Sequence, residues 1–480
     1  MNRTKIVCTI GPASESVETL RTLMRAGMNV ARINFSHGDH DAHARRIVQV
    51  RQAAQEQQAV IALMGDLQGP KLRVGAIRGD YVMTRVGDVI VLTTRGVPGD
   101  QGEVHLPHPD LVREVRPGQR LLLDDGALEF VVVETTDTDI RCRVVTGGPL
   151  SSHKGVAAPG AGLSLSALTD KDRADVDFAL AQELDFLAMS FVRSGRDVCL
   201  LRGLLESKDS RIPVIAKIEK PEALDAFDDI LACSDAIMIA RGDLGVEIPA
   251  EQVPFVQKDL IARCNRAGKP VITATQMLNS MITNPRPTRA EASDVANAIL
   301  DGTSAVMLSA ETALGAYPVE SVQTMARIAA ITEQNIPYEH ALEHILRDRA
   351  DTPATAISQA TVEIAEELAA KAIVTSTYSG STASWVASFR PRTPVIAVTP
   401  RPDVHRQLAL VWGVLPMLAP EFDTTDEMIQ RAETLALSSG LAATGDIIII
   451  TAGIPSGAGK QTNMLKVHQI NEGRPAASPP

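Results

Sequence analysis

Residues 213–243 read PVIAKIEKPEALDAFDDILACSDAIMIARGD. An apolar run over 213–219 is broken near its end by Lys217 and Glu219. Helix-forming sequence follows, and a second apolar run over 236–242 ends at Gly242-Asp243. Near-continuous apolar strands are those of parallel sheets buried on both faces. Charge placed where such a strand ends needs a reason.

The same unit recurs outward in both directions. Upstream, 4–11, 29–35 and 59–66 read as strands, with helices over 17–26 and 40–57 between them. Further strands are expected at 185–191, 270–276 and 305–312. The helix 289–301 is announced by the capping box Thr288-x-x-Glu291 and stopped by Gly302. Eight strand–helix units spanning about 250 residues match a TIM (β/α)8 barrel. A doubly wound sheet would accept the same alternation.

Between Gly69-Pro70 and about residue 166 the texture changes. Short alternating runs at 88–93, 119–123 and 129–134 are separated by the turns Arg116-Pro117-Gly118 and Asp124-Asp125-Gly126. This is a mostly antiparallel β insert. From about residue 352 a third region begins, with helices at 354–370 and 425–438 and strands at 372–377, 394–399, 446–451 and 463–470. The expected division is a catalytic A domain (1–70 and 167–345), a β-barrel lid (71–166) and a C-terminal α/β domain (346–480), whose tail 471–480 is expected to fray.

Composition narrows the function. The 480 residues carry 47 Lys and Arg against 58 Asp and Glu, a net charge of −11, which argues against nucleic-acid or anionic-membrane binding. Five scattered cysteines without CxxC or zinc spacing, no signal-peptide pattern and no apolar stretch near 20 residues point to a cytoplasmic protein with reduced thiols. With only 2 Trp, 4 Tyr and 9 Phe, the cores must be aliphatic.

Functional side chains of TIM barrels lie at the carboxyl ends of the strands. Those ends carry Arg32, Asn34 and Ser36, Asp66, Lys217 and Glu219, Asp243, Thr275 and Glu311. Any one of these is most simply a solvated loop charge; their recurrence on most strands is not. Glu219 and Asp243 suit Mg²⁺ (or Mn²⁺), which takes one or two protein carboxylates and leaves positions for water and substrate oxygens. Arg32, Arg73 and Lys217 would surround a transferring phosphoryl group, whose reaction depends on positioning and charge neutralisation. The Gly242 and Asp243 amides, at a helix start, would hold a substrate carboxylate.

Asn34-Phe35-Ser36-His37-Gly38, Lys217-Ile218-Glu219-Lys220, Ala240-Arg241-Gly242-Asp243-Leu244-Gly245, Ala274-Thr275-Gln276-Met277-Leu278 and Pro285-Arg286-Pro287-Thr288-Arg289-Ala290-Glu291 resemble, in order and spacing, the motifs of pyruvate kinases of bacterial type. The resemblance implies a TIM barrel with a lid inserted after the third strand, a C-terminal effector domain, a homotetramer, and phosphoryl transfer from phosphoenolpyruvate to ADP, giving pyruvate and ATP. It assigns Lys217, Arg73, Arg32 and Thr275 to catalysis, and Gly242, Asp243 and Thr275 with Arg32 and Lys217 to substrate. Asn34, Phe35, Ser36, His37, Arg73 and Lys154 go to the nucleotide, and Glu219 and Asp243 to Mg²⁺. Thr275 would also belong to the proton relay from enolate to pyruvate. Lid closure about Gly69-Pro70 and Pro159-Gly160 would exclude water.

One stretch departs from the commonest family pattern. Asp66-Leu67-Gln68-Gly69-Pro70-Lys71 stands where many members read Asp-Thr-Lys-Gly-Pro-Glu. The family's K⁺ site uses Asn34-, Ser36- and Asp66-like side chains and the carbonyl at Leu67. Lys71 in place of Glu, with Leu67, Gln68 and Val74, resembles the subgroup that works without K⁺, so Lys71 is expected to act as an internal cation.

In the third region, Ser376-Thr377-Tyr378-Ser379-Gly380-Ser381-Thr382 lies where the family has its effector loop. Thr377, Ser379, Ser381 and Thr382 would cradle a phosphorylated effector, a sugar phosphate or AMP. The run 453–461 mimics a P-loop but has Ile454 where the first Gly belongs and Gln461 in place of Ser/Thr. A Mg²⁺-dependent TIM-barrel lyase or aldolase acting on pyruvate or phosphoenolpyruvate is the alternative enzyme, and a catalytically silent metabolite sensor the alternative from outside enzymology.

Overall fold

A computed structural model describes residues 2–161, 166–336, 352–454 and 461–471. The core of the loop at 453–461 and the tail from 472 lie outside the described residues.

Eight parallel strands close into a barrel in the order Lys5–Thr9, Ala305–Leu308, Val271–Ala274, Ala236–Ala240, Val214–Ile218, Phe186–Met189, Ala62–Asp66 and Met28–Asn34. Closure removes the doubly wound alternative. Most strands are shorter than their apolar runs, chiefly because the run continues into the turn that carries the functional groups; Met28–Asn34 is as long as its run, and Ala62–Asp66 starts later but ends with it. Helices Val17–Ala26 and His40–Gln57 occupy the expected spans, capped by Ser16 and Asp39 side chains that accept from Thr19 and Ala42 amides. The capping box at Thr288 and Glu291 starts helix Arg289–Leu300.

Two apolar layers hold the barrel. Outside, aliphatic strand faces pack on the helices; inside, Val7, Val30, Met64, Ile215, Met238, Ile272 and Met307 fill the lumen. Ala409 and Leu410 of the C-terminal region join that inner cluster. Phe186 and Ala305 open their strands within it, so the C-terminal region closes the amino-terminal end of the barrel and leaves the carboxyl end to the lid.

The insert is a half-barrel rather than a fully closed one. Six strands run in the order Val156–Ala157, Arg120–Leu123, Leu128–Thr135, Asp139–Thr146, Val89–Thr93 and Glu103–His105, and Gly148–Leu150 pairs separately with Val82–Thr84. The C-terminal sheet runs Val414–Leu418, Val395–Thr399, Ala372–Ser376, Ile447–Ala452 and Met464–Gln469, the last antiparallel. Val414–Leu418 is absent from the sequence reading because Pro416 interrupts it. As an edge strand it tolerates a residue without an amide hydrogen. Among the described residues no helix is long and apolar enough to cross a membrane.

Candidate active site

Strand register brings distant charges together. Asn34 pairs with Asp66, Asp66 with Ala188, and Lys217 with Met238, so the carboxyl ends of neighbouring strands deliver their polar residues to one level of the mouth. There Lys217 Nζ lies 2.9 Å from Glu219 Oε1, 3.3 Å from Asp66 Oδ1 and 2.7 Å from Ser190 Oγ. Ser190 in turn donates to the Leu67 carbonyl at 2.8 Å. Arg32 donates from Nε to Asp66 Oδ2 at 2.7 Å and from Nη1 to Thr9 Oγ1 at 2.9 Å.

This network is buried, and its electrostatics follow from that. Burial alone would push the Lys217 ammonium down, but the Asp66 and Glu219 charges hold it above its ordinary value. Asp66 is opposed by burial yet kept below the usual carboxylate range by Lys217 and Arg32. Glu219 is pushed up, first by burial and then by Asp243, against the pull of Lys217. Its Oε2 accepts the Phe191 amide at 2.7 Å. Glu219 and Asp243 therefore present hard oxygen donors whose mutual repulsion a divalent cation would relieve, a donor set that fits Mg²⁺. Lys71 reaches the same point, its Nζ 3.7 Å from Asp243 Oδ1.

Thr275 lies against Gly242. Gly242 opens helix Arg241–Glu247 just after its first residue, and its amide donates to Thr275 Oγ1 at 2.6 Å. A Cβ on Gly242 would come within 3.2 Å of that oxygen, so the approach favours glycine, and any side chain there would push the Thr275 hydroxyl back by a few tenths of an ångström. Thr275 and Gln276 have φ of 69° and 55°, a left-handed pair unusual for non-glycine residues and held open at the site. Arg241 locks the turn, donating to the Thr275 carbonyl at 3.0 Å while paired with Asp294 at 2.7 Å.

The lid contributes from across a gap. Arg73 bridges to Gly155 and donates to the His153 carbonyl at 2.9 Å; Lys154 pairs with Asp124 at 2.7 Å. Arg73 pairs with neither Arg32 nor Lys217, and His37 is the group that senses cations from both the lid side and the barrel. Its imidazole is held low by burial and then by Arg73, Lys71 and Arg32. A cavity of about 80 Å³ separates the two bodies, lined by Lys71, Leu72 and Gly155 on the lid side and by Phe191, Glu219 and Asp243 on the barrel side.

Five expected residues are engaged within the protein. The Phe35 side chain packs into the core. Its ring is fully buried, edge-on to His43 and Phe178, and its backbone carbonyl takes Lys171 Nζ. Asp66 and the Leu67 carbonyl, expected at a K⁺ site, are engaged by Arg32, Lys217 and Ser190, and the Asn34 side chain accepts the Ser36 amide at 3.1 Å. Glu311 is structural, its carboxylate accepting the Leu278 and Ser309 amides.

These features match one family along nearly the whole chain. Residues 1–322 match the model of the pyruvate kinase barrel domain and 355–468 that of the pyruvate kinase alpha/beta domain. The chain belongs to the pyruvate kinase family. It is 50% identical to the pyruvate kinase of Geobacillus stearothermophilus, over 98% of this chain and 81% of that relative. It is 49% identical to pyruvate kinase 2 of Synechocystis, over 98% and 79%. The structure is similar to that of a pyruvate kinase from Cryptosporidium parvum, with a TM-score of 0.92 at 39% identity, covering 98% and 96% of the two chains. Pyruvate kinases transfer the phosphoryl group of phosphoenolpyruvate to ADP, and this chain is such a phosphotransferase.

Sequence reasoning assigned no role to Ser190, Phe191 or Thr9, and quoted Arg241 only within a motif. The first three break no apolar strand with a charge, and their roles depend on register. Phe191, with φ 55° after strand Phe186–Met189, carries the only faint signal, an apolar residue where the chain must turn.

Proposed function

We propose that Lys217 is the group that stabilises the phosphoryl in flight, with Arg32 and, on lid closure, Arg73 completing the cationic surround. The reading is carried by the Lys217 ammonium, buried at the barrel mouth between Asp66 and Glu219. A preorganised charge in a water-poor site gains most where negative charge is spread over equatorial oxygens. Glu219 and Asp243 would hold Mg²⁺ (or Mn²⁺), which when bound supplies further neutralisation of phosphate charge. The Gly242 and Asp243 amides with Thr275 would take the carboxylate of the substrate. The Gly242 amide exchanges its Thr275 partner for that carboxylate, and the Thr275 hydroxyl, which donates to the Ala274 carbonyl at 2.6 Å, would turn its proton toward the enolate. Asn34, Ser36, His37, Arg73 and Lys154 would face the nucleotide. The enzyme is read as a cytoplasmic homotetramer.

K⁺ independence is part of this proposal. Its support is Lys71, whose ammonium stands beside Asp243, and Asp66, whose oxygens are already engaged by protein cations. The experiment is pyruvate formation from phosphoenolpyruvate and ADP with Mg²⁺, run in K⁺ and in tetramethylammonium buffer. Turnover in both is expected; turnover only with K⁺ removes the Lys71 reading. Lys71→Glu should acquire a K⁺ requirement, and a variant equally active with and without K⁺ overturns it.

A phosphorylated effector, a sugar phosphate or AMP, is assigned to a cavity of about 250 Å³ in the C-terminal sheet, lined by Thr377, Ser379, Ser381 and Thr382. Helix Ser381–Ser388 opens there from Gly380, whose amide donates to Thr377 Oγ1 at 3.0 Å. Ser379 donates to Ser381 Oγ at 3.0 Å, and Thr382 shares a hydrogen with Thr462. Calorimetry showing neither heat nor a rate change with these compounds counts against it.

A further inference from the structure

Helices Gly195–Glu206 and Phe227–Cys233 lie side by side on the outside of the barrel, and two contacts fix how they align. At one end Gly195 allows the Asp229 carbonyl so close that a Cβ would lie 2.7 Å from it. At the other, Arg202 donates to the Cys233 carbonyl and pairs with Asp235 at 2.8 Å. Between these contacts stand Cys199 and Cys233, with their Sγ atoms 3.3 Å apart. The fold therefore holds two thiols at near-bonding distance, in a chain whose other cysteines are isolated.

The contrast with those others is chemical. Cys8, Cys142 and Cys264 are buried, and burial pushes each thiol up, Cys142 to about 12, away from the reactive thiolate. Cys199 is exposed and Cys233 half-buried. Cys233 is raised chiefly by the hydrogen it shares with Cys199, while Arg202 and Lys269 favour its thiolate. Lys269 is anchored there by the Leu231 and Ser234 carbonyls.

We propose that Cys199 and Cys233 are a reversible redox pair that closes to a disulfide when the enzyme meets a hydroperoxide. The exposed Cys199 thiolate attacks a peroxide oxygen. The O–O bond breaks, and with hydrogen peroxide the departing hydroxide leaves as water after taking a proton, giving a sulfenic acid at Cys199. The Cys233 thiolate then attacks that sulfur, forming the S–S bond and releasing a second hydroxide, which is protonated to water. Two thiols and one peroxide give one disulfide and two waters, the two electrons passing from sulfur to oxygen. An S–S bond of about 2.05 Å requires the sulfurs to close by roughly 1.3 Å, within reach of side-chain rotation. A low-molecular-weight dithiol would reverse the closure by exchange. The bond would join the helix that follows Ser190 and Phe191 to the helix segment that follows Lys217 and Glu219.

The test is hydrogen peroxide titration of the reduced, desalted enzyme with thiol counting and peptide mapping. The expected result is loss of two thiols per chain, one linked peptide pair containing Cys199 and Cys233 with a mass lower by two hydrogens, and full recovery with dithiothreitol. Cys233→Ser should instead trap a dimedone-reactive sulfenic acid at Cys199. The proposal is overturned if both thiols survive, if Cys199 passes to sulfinic or sulfonic acid while Cys233 stays free, or if the only new bonds join separate chains. Mapping the unmodified sequence keeps the test decisive even should a variant fold poorly.

Discussion

Among the described residues two lysines are buried in the barrel, one at each end, and their environments are opposites. Lys217, at the carboxyl end, is ringed by Asp66, Glu219 and Ser190 and is held above its ordinary value against the cost of burial. Lys5, at the amino end of the first strand, donates to the Val414 carbonyl at 2.7 Å. Burial pulls it down to about 8, opposed only in part by Glu333. The first is an ammonium fixed in its charged state where negative charge must be stabilised. The second holds the C-terminal region against the base of the barrel and remains close to losing its proton. Burial does not decide what a buried charge is for; its partners do.

The largest effect that would sharpen this comparison comes from Lys217→Gln. Removing a cation from the transferring phosphoryl should lower kcat by about 10³- to 10⁵-fold. Substrate binding should change far less, because Arg32 and the turn at Gly242 remain. Steady-state kinetics decides it: a loss confined to KM would mean that Lys217 binds substrate without acting in the transition state.

At the other end a charge deletion should act on stability instead. Arg406, half-exposed, donates to Asp185 Oδ1 at 2.7 Å, and Asp185 Oδ2 accepts the Leu63 amide at 2.8 Å. Burial pushes the Asp185 carboxyl up, and Arg406 works against this. Arg406→Ala leaves a buried carboxylate with one partner fewer, at a cost of about 1–3 kcal/mol. Denaturation should show that loss while kcat stays within about twofold, since the residue touches no part of the mouth. A rate loss approaching that of Lys217→Gln would erase the distinction between the two ends.

Much of this was legible in the sequence, and for physical reasons. Buried parallel strands must be apolar, so Lys217, Glu219 and Asp66 stand out against them, and the strand–helix alternation follows from the same constraint. What was hidden depends on register or on distant pairing. Ser190 becomes a partner of Lys217 only because Ala188 aligns with Asp66. The edge strand at Val414 was masked by Pro416. Lys5 finds a carbonyl 409 residues away, a contact no local pattern encodes. Phe35 shows the reverse: it lies inside a functional motif, and its ring is packed against His43 and Phe178, a burial that the motif alone does not reveal.

The effect expected to be smallest at neutral pH is also the one that separates the two lysines most cleanly. Lys5 has an ordinary value of 10.5 and a folded value of about 8. Between those limits the unfolded chain holds a proton that the folded chain has released, so the contribution of Lys5 to stability should rise with pH across that window and be flat below it. That gain is at most about 3.5 kcal/mol, because a shift of one unit is worth about 1.4 kcal/mol. Lys5→Met should remove this contribution, so the stability of the parent relative to the variant should rise between about pH 8 and 10. At pH 7 the variant should differ from the parent by about 1 kcal/mol or less, since the lost bond to Val414 is offset by no longer burying an ammonium. Denaturant midpoints measured across the window settle the matter. Parallel profiles for parent and variant would mean that Lys5 keeps its proton in the folded chain, and the two ends of the barrel would then hold their lysines alike.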